Sequence, residues 1–221
     1  MPTASSPIAE QVQQYFTSAA AQMPPEIRGV FDGEVARLVA AGVPAGVPTV
    51  GTAMPDGALL DVHGSPTTLT DTRQGKAAVL VFYRGAWCPF CNIALHTYET
   101  ELVPELAERG IALVAISPQK PDGSLTMQQK HALTFSVLSD PGNQIASKLR
   151  ILTAPTDDAR AVQASFGLDL TQANADGTFT LPMPTVVLVD ASGTIRWIDV
   201  HPNYRERTEV PAILEAIATS L

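Results

Sequence analysis

The chain has 221 residues, 45% of them hydrophobic and 16% charged, which is enough apolar content for one substantial core with an appended helical segment. A formal net charge of −8 offers no basic face to phosphate backbones or anionic lipid, so nucleic acid and membrane surfaces are set aside as partners. The first six residues lack a positive start followed by an apolar stretch, and no segment reaches the roughly 18 apolar residues of a spanning helix, so the sequence reads as cytoplasmic.

Between residues 8 and 41 apolar positions recur at helical steps: Ile8, Val12, Tyr15, Phe16 and Ala19, then Ile27, Val30, Phe31, Val35, Leu38 and Val39. Met23-Pro24-Pro25 divides this run into two helices, because proline excludes helical geometry from the residue before it. The Gly- and Pro-rich stretch 42–48 reads as a linker. Residues 1–47 are therefore expected to form a helical extension and linker, and residues 48–221 the main domain.

In the main domain, residues 56–66 suggest a hairpin ahead of the main sheet. Residues 76–83 and 111–116 are continuous apolar runs on either side of a helical pattern at 92–108. Together they predict a βαβ unit with parallel strands covered on both faces, and Pro104 predicts a kink in its helix. A short helix around 124–131, a strand at 135–138 and a helix at 143–149 follow. Residues 153–180 have no periodicity that supports an assignment. Residues 185–190 and 194–199 predict a hairpin, and 210–221 a closing amphipathic helix.

The only two cysteines stand in Trp87-Cys88-Pro89-Phe90-Cys91, directly after the first apolar strand. Two thiols three residues apart on a first helical turn can close a small disulfide ring, and the pattern points to redox chemistry. Pro89 suits the first helical position, which leaves Cys88 at the cap, where free amides and the helix dipole favour a negative sulfur. On this reading Cys88 is the attacking nucleophile and Cys91, a turn deeper and less exposed, the resolving thiol.

Zinc is not expected, since His63, His96, His131 and His201 supply no second closely spaced ligand pair. His96 lies five residues beyond Cys91, off its helical face, and reads as a packing residue. The polar cluster Asp199, Tyr204, Arg205 and Arg207 reads as a loop tie without a catalytic role.

Three segments, 81–91, 138–142 and 187–193, resemble the alkyl hydroperoxide reductase and thiol-specific antioxidant (AhpC/TSA) superfamily, the peroxiredoxins and their relatives. The resemblance covers roughly residues 48 to 200, and it extends in particular to peroxiredoxin-like proteins with a Trp-Cys-Pro-x-Cys site and a helical N-terminal extension. It implies an α/β fold with a thioredoxin-like (peroxiredoxin-like) central sheet flanked by helices. On the family pattern Pro-x-x-x-Thr-x-x-Cys, Cys91 takes the peroxide-attacking place, Cys88 stands for threonine and Arg84 for proline, so the pattern reverses the roles read from the helix cap. Arg84 is then a candidate for stabilising a thiolate or polarising peroxide. Pro184 occupies the place of the family's distant arginine, and Met183-Pro184-Thr185 resembles the cis-proline loop of thioredoxins that packs on a dithiol and holds substrate. Trp87, Arg84, Pro184 and Thr185 are accordingly the expected substrate-binding residues.

The resemblance implies hydroperoxide reduction through a Cys88/Cys91 dithiol-disulfide cycle, without metal or organic cofactor, reset by a thiol donor such as thioredoxin or glutathione. Exchange with protein disulfides is the alternative, and a non-enzymatic redox sensor or binding module a third. The helical extension is either a homodimer face or a cover for the sheet edge.

Overall fold

The computed structural model describes residues 7–221 and begins with the two expected helices, α1 (Ile8–Gln22) and α2 (Pro25–Ala41). Pro25 takes the first turn of α2, where its missing N–H is not needed. Ile8, Val12 and Leu38 are buried in the same apolar cluster as the two cysteines, so these helices help to roof the dithiol.

The hairpin β1 (Leu59–Leu60) and β2 (Pro66–Thr67) forms, but as the outer edge of the main sheet, where Leu60 pairs antiparallel with Ser139. After α3 (Leu69–Arg73), the expected βαβ unit appears as β3 (Ala78–Phe82) and β4 (Ala112–Ser117), parallel from Ala78↔Ala112 to Phe82↔Ile116. All five β3 side chains are buried, with Val79 and Val81, followed by Tyr83 just past the strand, in the cluster of the dithiol and Ala78, Leu80 and Phe82 in the other. This two-sided burial explains why the strand is apolar throughout.

The connecting helix is in three parts: α4 (Pro89–Thr97), a π-helical turn at Tyr98–Leu102, and α5 (Val103–Glu108). Pro104 cannot donate to the carbonyl of Thr100 and its ring would crowd it. The chain widens just before the proline, and Val103 N bonds to Tyr98 O instead. The expected kink is thus a π-bulge.

Next come α6 (Pro121–Lys130), which starts three residues earlier than the pattern suggests because Pro121 opens its first turn, β5 (Ser136–Ser139), and α7 (Gln144–Lys148). The stretch without periodicity contains β6 (Leu152–Thr153), α8 (Asp157–Ser165), α9 (Leu170–Ala173) and β7 (Leu181–Pro182). These elements are short, so their identity comes from caps and packing: Thr156 caps α8 by accepting from Ala159 N, and Asp169 caps α9 by accepting from Thr171 N. The chain closes with β8 (Thr185–Val189), β9 (Ile195–Val200) and α10 (Val210–Ser220). The main sheet runs β2-β1-β5-β4-β3-β8-β9, with β3 central, parallel to β4 and antiparallel to β8. Among the described residues no helix is long and apolar enough to cross a membrane.

Asp140 secures the edge of this sheet: its buried carboxylate accepts from the backbone N–H groups of Gln144 at 2.8 Å and Ile145 at 2.9 Å at the start of α7. Asp140→Ala orphans these donors and should cost about 2 kcal/mol, read as a lower midpoint in urea unfolding; an unchanged midpoint would show that water takes over the carboxylate's role.

Candidate active site

The turn out of β3 needs glycine at position 85. Gly85 has φ 150, and a Cβ there would lie 2.4 Å from Trp87 Nε1 and 2.7 Å from Gln119 Oε1. Gln119 Oε1 accepts from Ala86 N at 2.7 Å, and Cys88 N donates to Gly85 O at 3.1 Å, which delivers Cys88 to the cap of α4. Pro89 is the first helical residue, as its fixed φ favours.

Both cysteines are free thiols and both are buried, Cys88 1% exposed and Cys91 0%. The expected difference in exposure is absent because α1 and α2 close over the helix start. Nor does the cap single out Cys88, whose side chain makes no bond to the amides of α4. The cation beside the pair decides the charge. Arg207 Nη2 lies 2.9 Å from Cys91 Sγ and 3.7 Å from Cys88 Sγ.

Burial alone would raise the pKa of Cys91, but the Cys88 thiol, the Arg207 guanidinium and the Arg84 backbone N–H all favour its anion, and they hold it well below the ordinary thiol value. Cys88 moves the other way. Burial, its S–H bond to Cys91 and the neighbouring negative charge push it well above that value. The pair therefore shares one negative charge, centred on Cys91. The same anion outweighs burial at Arg207 and raises its pKa.

Arg207 belongs to the cluster read from sequence as a loop tie, 116 residues from Cys91. The cluster does tie the loop, and it also sets the Arg207 guanidinium against both sulfurs, a contact the sequence did not reveal. Arg207 Nη1 donates to Tyr204 O at 2.7 Å and Glu206 O at 2.5 Å, which fixes the guanidinium. The next residue is held twice. Tyr98 Oη, presented by the π turn, donates to Thr208 O at 2.6 Å, and Thr208 Oγ1 donates to Asp199 Oδ2 at 2.8 Å. His201 Nε2, at 2.9 Å, joins the same carboxylate, and that contact leads in lowering the pKa of Asp199. No spacing rule in the sequence links residues 98, 199 and 207; their meeting is a consequence of topology.

The other expected site residues divide into two groups. Pro184 and Thr185 line a cavity of about 10 Å³ with Cys91, His201 and Arg207, room for one water-sized molecule. The expected cis-proline is not found, since no peptide bond among the described residues is cis. Pro184 O instead accepts from His201 N at 2.9 Å and extends the β8–β9 pairing, so the loop serves the sheet as an ordinary strand lead-in. Thr185 Oγ1 donates to Met183 O at 2.9 Å, which commits its proton to the backbone.

Arg84 and Trp87 line a separate cleft of about 530 Å³ that contains Cys88 but not Cys91. Arg84 packs its guanidinium 5.0 Å from the Trp87 ring and 4.2 Å from the Tyr204 ring. His96 points away from the dithiol and stacks near His131, ring centroids 5.9 Å apart.

A β3–turn–α4 dithiol on a central mixed sheet, with parallel βαβ strands and a β8–β9 hairpin beside it, defines a thioredoxin-fold thiol protein. Residues 50–198 match the AhpC/TSA family, and the chain belongs to it. Peroxiredoxin Bcp of Escherichia coli is 29% identical over 97 residues, 44% of this chain and 61% of that protein. The thiol-disulfide oxidoreductase ResA of Bacillus thuringiensis is 28% identical over 108 residues, 48% of this chain and 61% of that one. The chain thus spans about three fifths of the length of these relatives. In fold it is similar to a peroxiredoxin-like protein from Aquifex aeolicus, with TM-score 0.62 and 12% identity, over 81% of this chain and 91% of that one.

Removing the cation tests the electrostatics. Arg207→Met should raise the pH midpoint of Cys91 alkylation by about one unit or more, because the thiolate loses its nearest positive charge while burial still opposes it. In the same variant thiolate absorbance at neutral pH should fall; an unmoved midpoint would mean that the Cys88 thiol alone holds the charge.

Proposed function

We propose that this chain is a cytoplasmic thiol-dependent peroxidase whose attacking sulfur is Cys91 and whose resolving sulfur is Cys88. The observation that carries the reading is the 2.9 Å contact between Arg207 Nη2 and Cys91 Sγ. It supplies a thiolate at the family's peroxide-attacking position together with a fixed cation for the oxygen that departs. This order of attack reverses the one expected from the helix cap.

In the first step the Cys91 thiolate bonds to one oxygen of a hydroperoxide, the O–O bond breaks, and the leaving alkoxide or hydroxide takes a proton from solvent. Cys91 is now a sulfenic acid. Cys88 then bonds to that sulfur, the S–O bond breaks, and water leaves with the Cys88 proton, which yields the Cys88–Cys91 disulfide. Pro184 and Thr185 shape the small cavity in which the peroxide meets Cys91, and Trp87 and Arg84 line the way to Cys88. Residues 48–221 form the catalytic domain, and the two helices of the 1–47 extension, α1 and α2, supply its roof. Free thiols suit a compartment that keeps them reduced, and a thiol donor of the thioredoxin or glutathione kind resets the pair.

A second reading, exchange with protein disulfides, is favoured by the likeness to ResA and by the close dithiol itself. It asks more of the site, since a protein disulfide must reach a pair of sulfurs that are both almost fully buried.

Stopped-flow mixing with hydrogen peroxide separates these readings. The wild-type protein should lose thiol far faster than free cysteine. Cys91→Ser should lose the fast phase, while Cys88→Ser should keep it and stop at a sulfenic acid that dimedone traps. The reverse pattern would assign the attack to Cys88, and slow thiol loss with rapid insulin reduction would assign the protein to exchange.

A further inference from the structure

The cleft beside Cys88, about 530 Å³, falls in the roughly 300–1,000 Å³ range of sites that enclose small organic molecules. Its walls are largely apolar, with Tyr15 and Phe16 from α1, Phe90 beside the dithiol and Phe166 at the end of α8. Its charged lining residues are all arginines, Arg28, Arg84 and Arg205, with no Asp or Glu among them, in a chain of net charge −8. Arg205 is engaged by Asp32 at 2.8 Å and stacks on Phe16. Arg84 is different. It is only 8% exposed and lies against the two rings, and no carboxylate forms an ion pair with it among the described residues. Glu34, which shares an adjoining cavity with Arg84, is taken by Arg37 at 2.7 Å and lies 3.4 Å from Thr156 N. The charge of Arg84 helps to favour the Cys91 thiolate, and that anion is lost when the 88–91 disulfide forms; a guanidinium withdrawn from water and then left without a counter-charge is a position that a carboxylate fills well.

Resting on the peroxidase reading, we propose that this cleft receives the reductant, a small amphipathic thiol with an apolar stem and a carboxylate, whose carboxylate meets Arg84 and whose sulfur attacks Cys88. The two sulfurs face different openings: Cys91 lines the cavity with Pro184 and Arg207, whereas Cys88 lines the cleft. Oxidant and reductant are thereby assigned to different spaces, one at each sulfur.

The exchange balances as follows. The incoming thiolate bonds to Cys88 Sγ, and the Cys88–Cys91 bond breaks with its electron pair on Cys91, beside Arg207. A second thiol group then bonds to the reductant sulfur of the mixed disulfide and releases Cys88. Two thiols become one disulfide, two electrons pass to the protein, and of the two thiol protons one goes to Cys88 and one to solvent.

Dihydrolipoate and dihydrolipoamide have the same dithiol and stem and differ in whether the end is charged. The full chain is oxidised with one equivalent of hydrogen peroxide, the 88–91 disulfide is verified by mass, and its reduction by each probe is timed. Dihydrolipoate should be about tenfold faster, the worth of one charge-assisted hydrogen bond. That ratio should fall toward one in Arg84→Met and be kept in part by Arg84→Lys. Equal rates in the wild-type protein, a ratio unchanged in Arg84→Met, or faster reduction by thioredoxin than by either probe would overturn the proposal. So would an Arg84-dependent preference for linoleic acid hydroperoxide over hydrogen peroxide, which would make the cleft the oxidant's entrance. If peroxide forms no 88–91 disulfide, the peroxidase reading fails by itself; diamide can then form the bond, and the probe ratio still tests the cleft.

Discussion

A thiolate withdrawn from water persists only where a cation and hydrogen-bond donors replace its hydration, and in this protein the guanidinium of Arg207 stands 2.9 Å from Cys91 Sγ. The other features of the site follow from that contact. With the anion on Cys91, Cys88 becomes the donor thiol, and the two sulfurs of one motif acquire opposite tendencies. Two equivalent thiols would compete for the same proton; a charged one and a protonated one are suited to the proposed division between attack and resolution.

Holding the guanidinium there engages elements far apart in the chain. Glu209, at the start of α10, accepts from Ile8 N at 2.9 Å and Ala9 N at 2.8 Å, so the loop that carries Arg207 also caps α1. The same loop is gripped from below by Tyr98, which the π turn ahead of Pro104 presents. A π-bulge is a costly departure from regular helix, and here it coincides with the tyrosine that anchors the active-site loop. The helical roof and the cation share one fastening.

The two sulfurs border unlike spaces, and the roof lines only the one at Cys88. Beside Cys91 there is space for a water-sized molecule among Pro184, Thr185 and Arg207; beside Cys88 there is an apolar cleft with Arg84, which pairs with no carboxylate among the described residues. The two spaces differ in size and polarity, which is the basis of the proposed division between oxidant and reductant.

Much of this was legible in the residues. The continuous apolar runs at 78–82 and 112–117 mark strands buried on both faces, the helical spacing of Ile8, Val12 and Leu38 marks the roof, and Trp87-Cys88-Pro89-Phe90-Cys91 marks the reactive turn. Periodicity reports the environment of a segment, and that was enough for the fold and the dithiol. The short elements at 152–182 escaped because caps such as Thr156 and Asp169 act on single turns that carry no period. The pairing of Pro184 O with His201 N joins residues 17 apart, which no local pattern reveals.

Which sulfur holds the charge was decided by tertiary structure alone. Local sequence places Cys88 at a helix start, where the partial charge of a few amides favours its thiolate. Folding brings a full positive charge from residue 207 against Cys91, and in a site closed to water a whole charge at contact outweighs a fractional one.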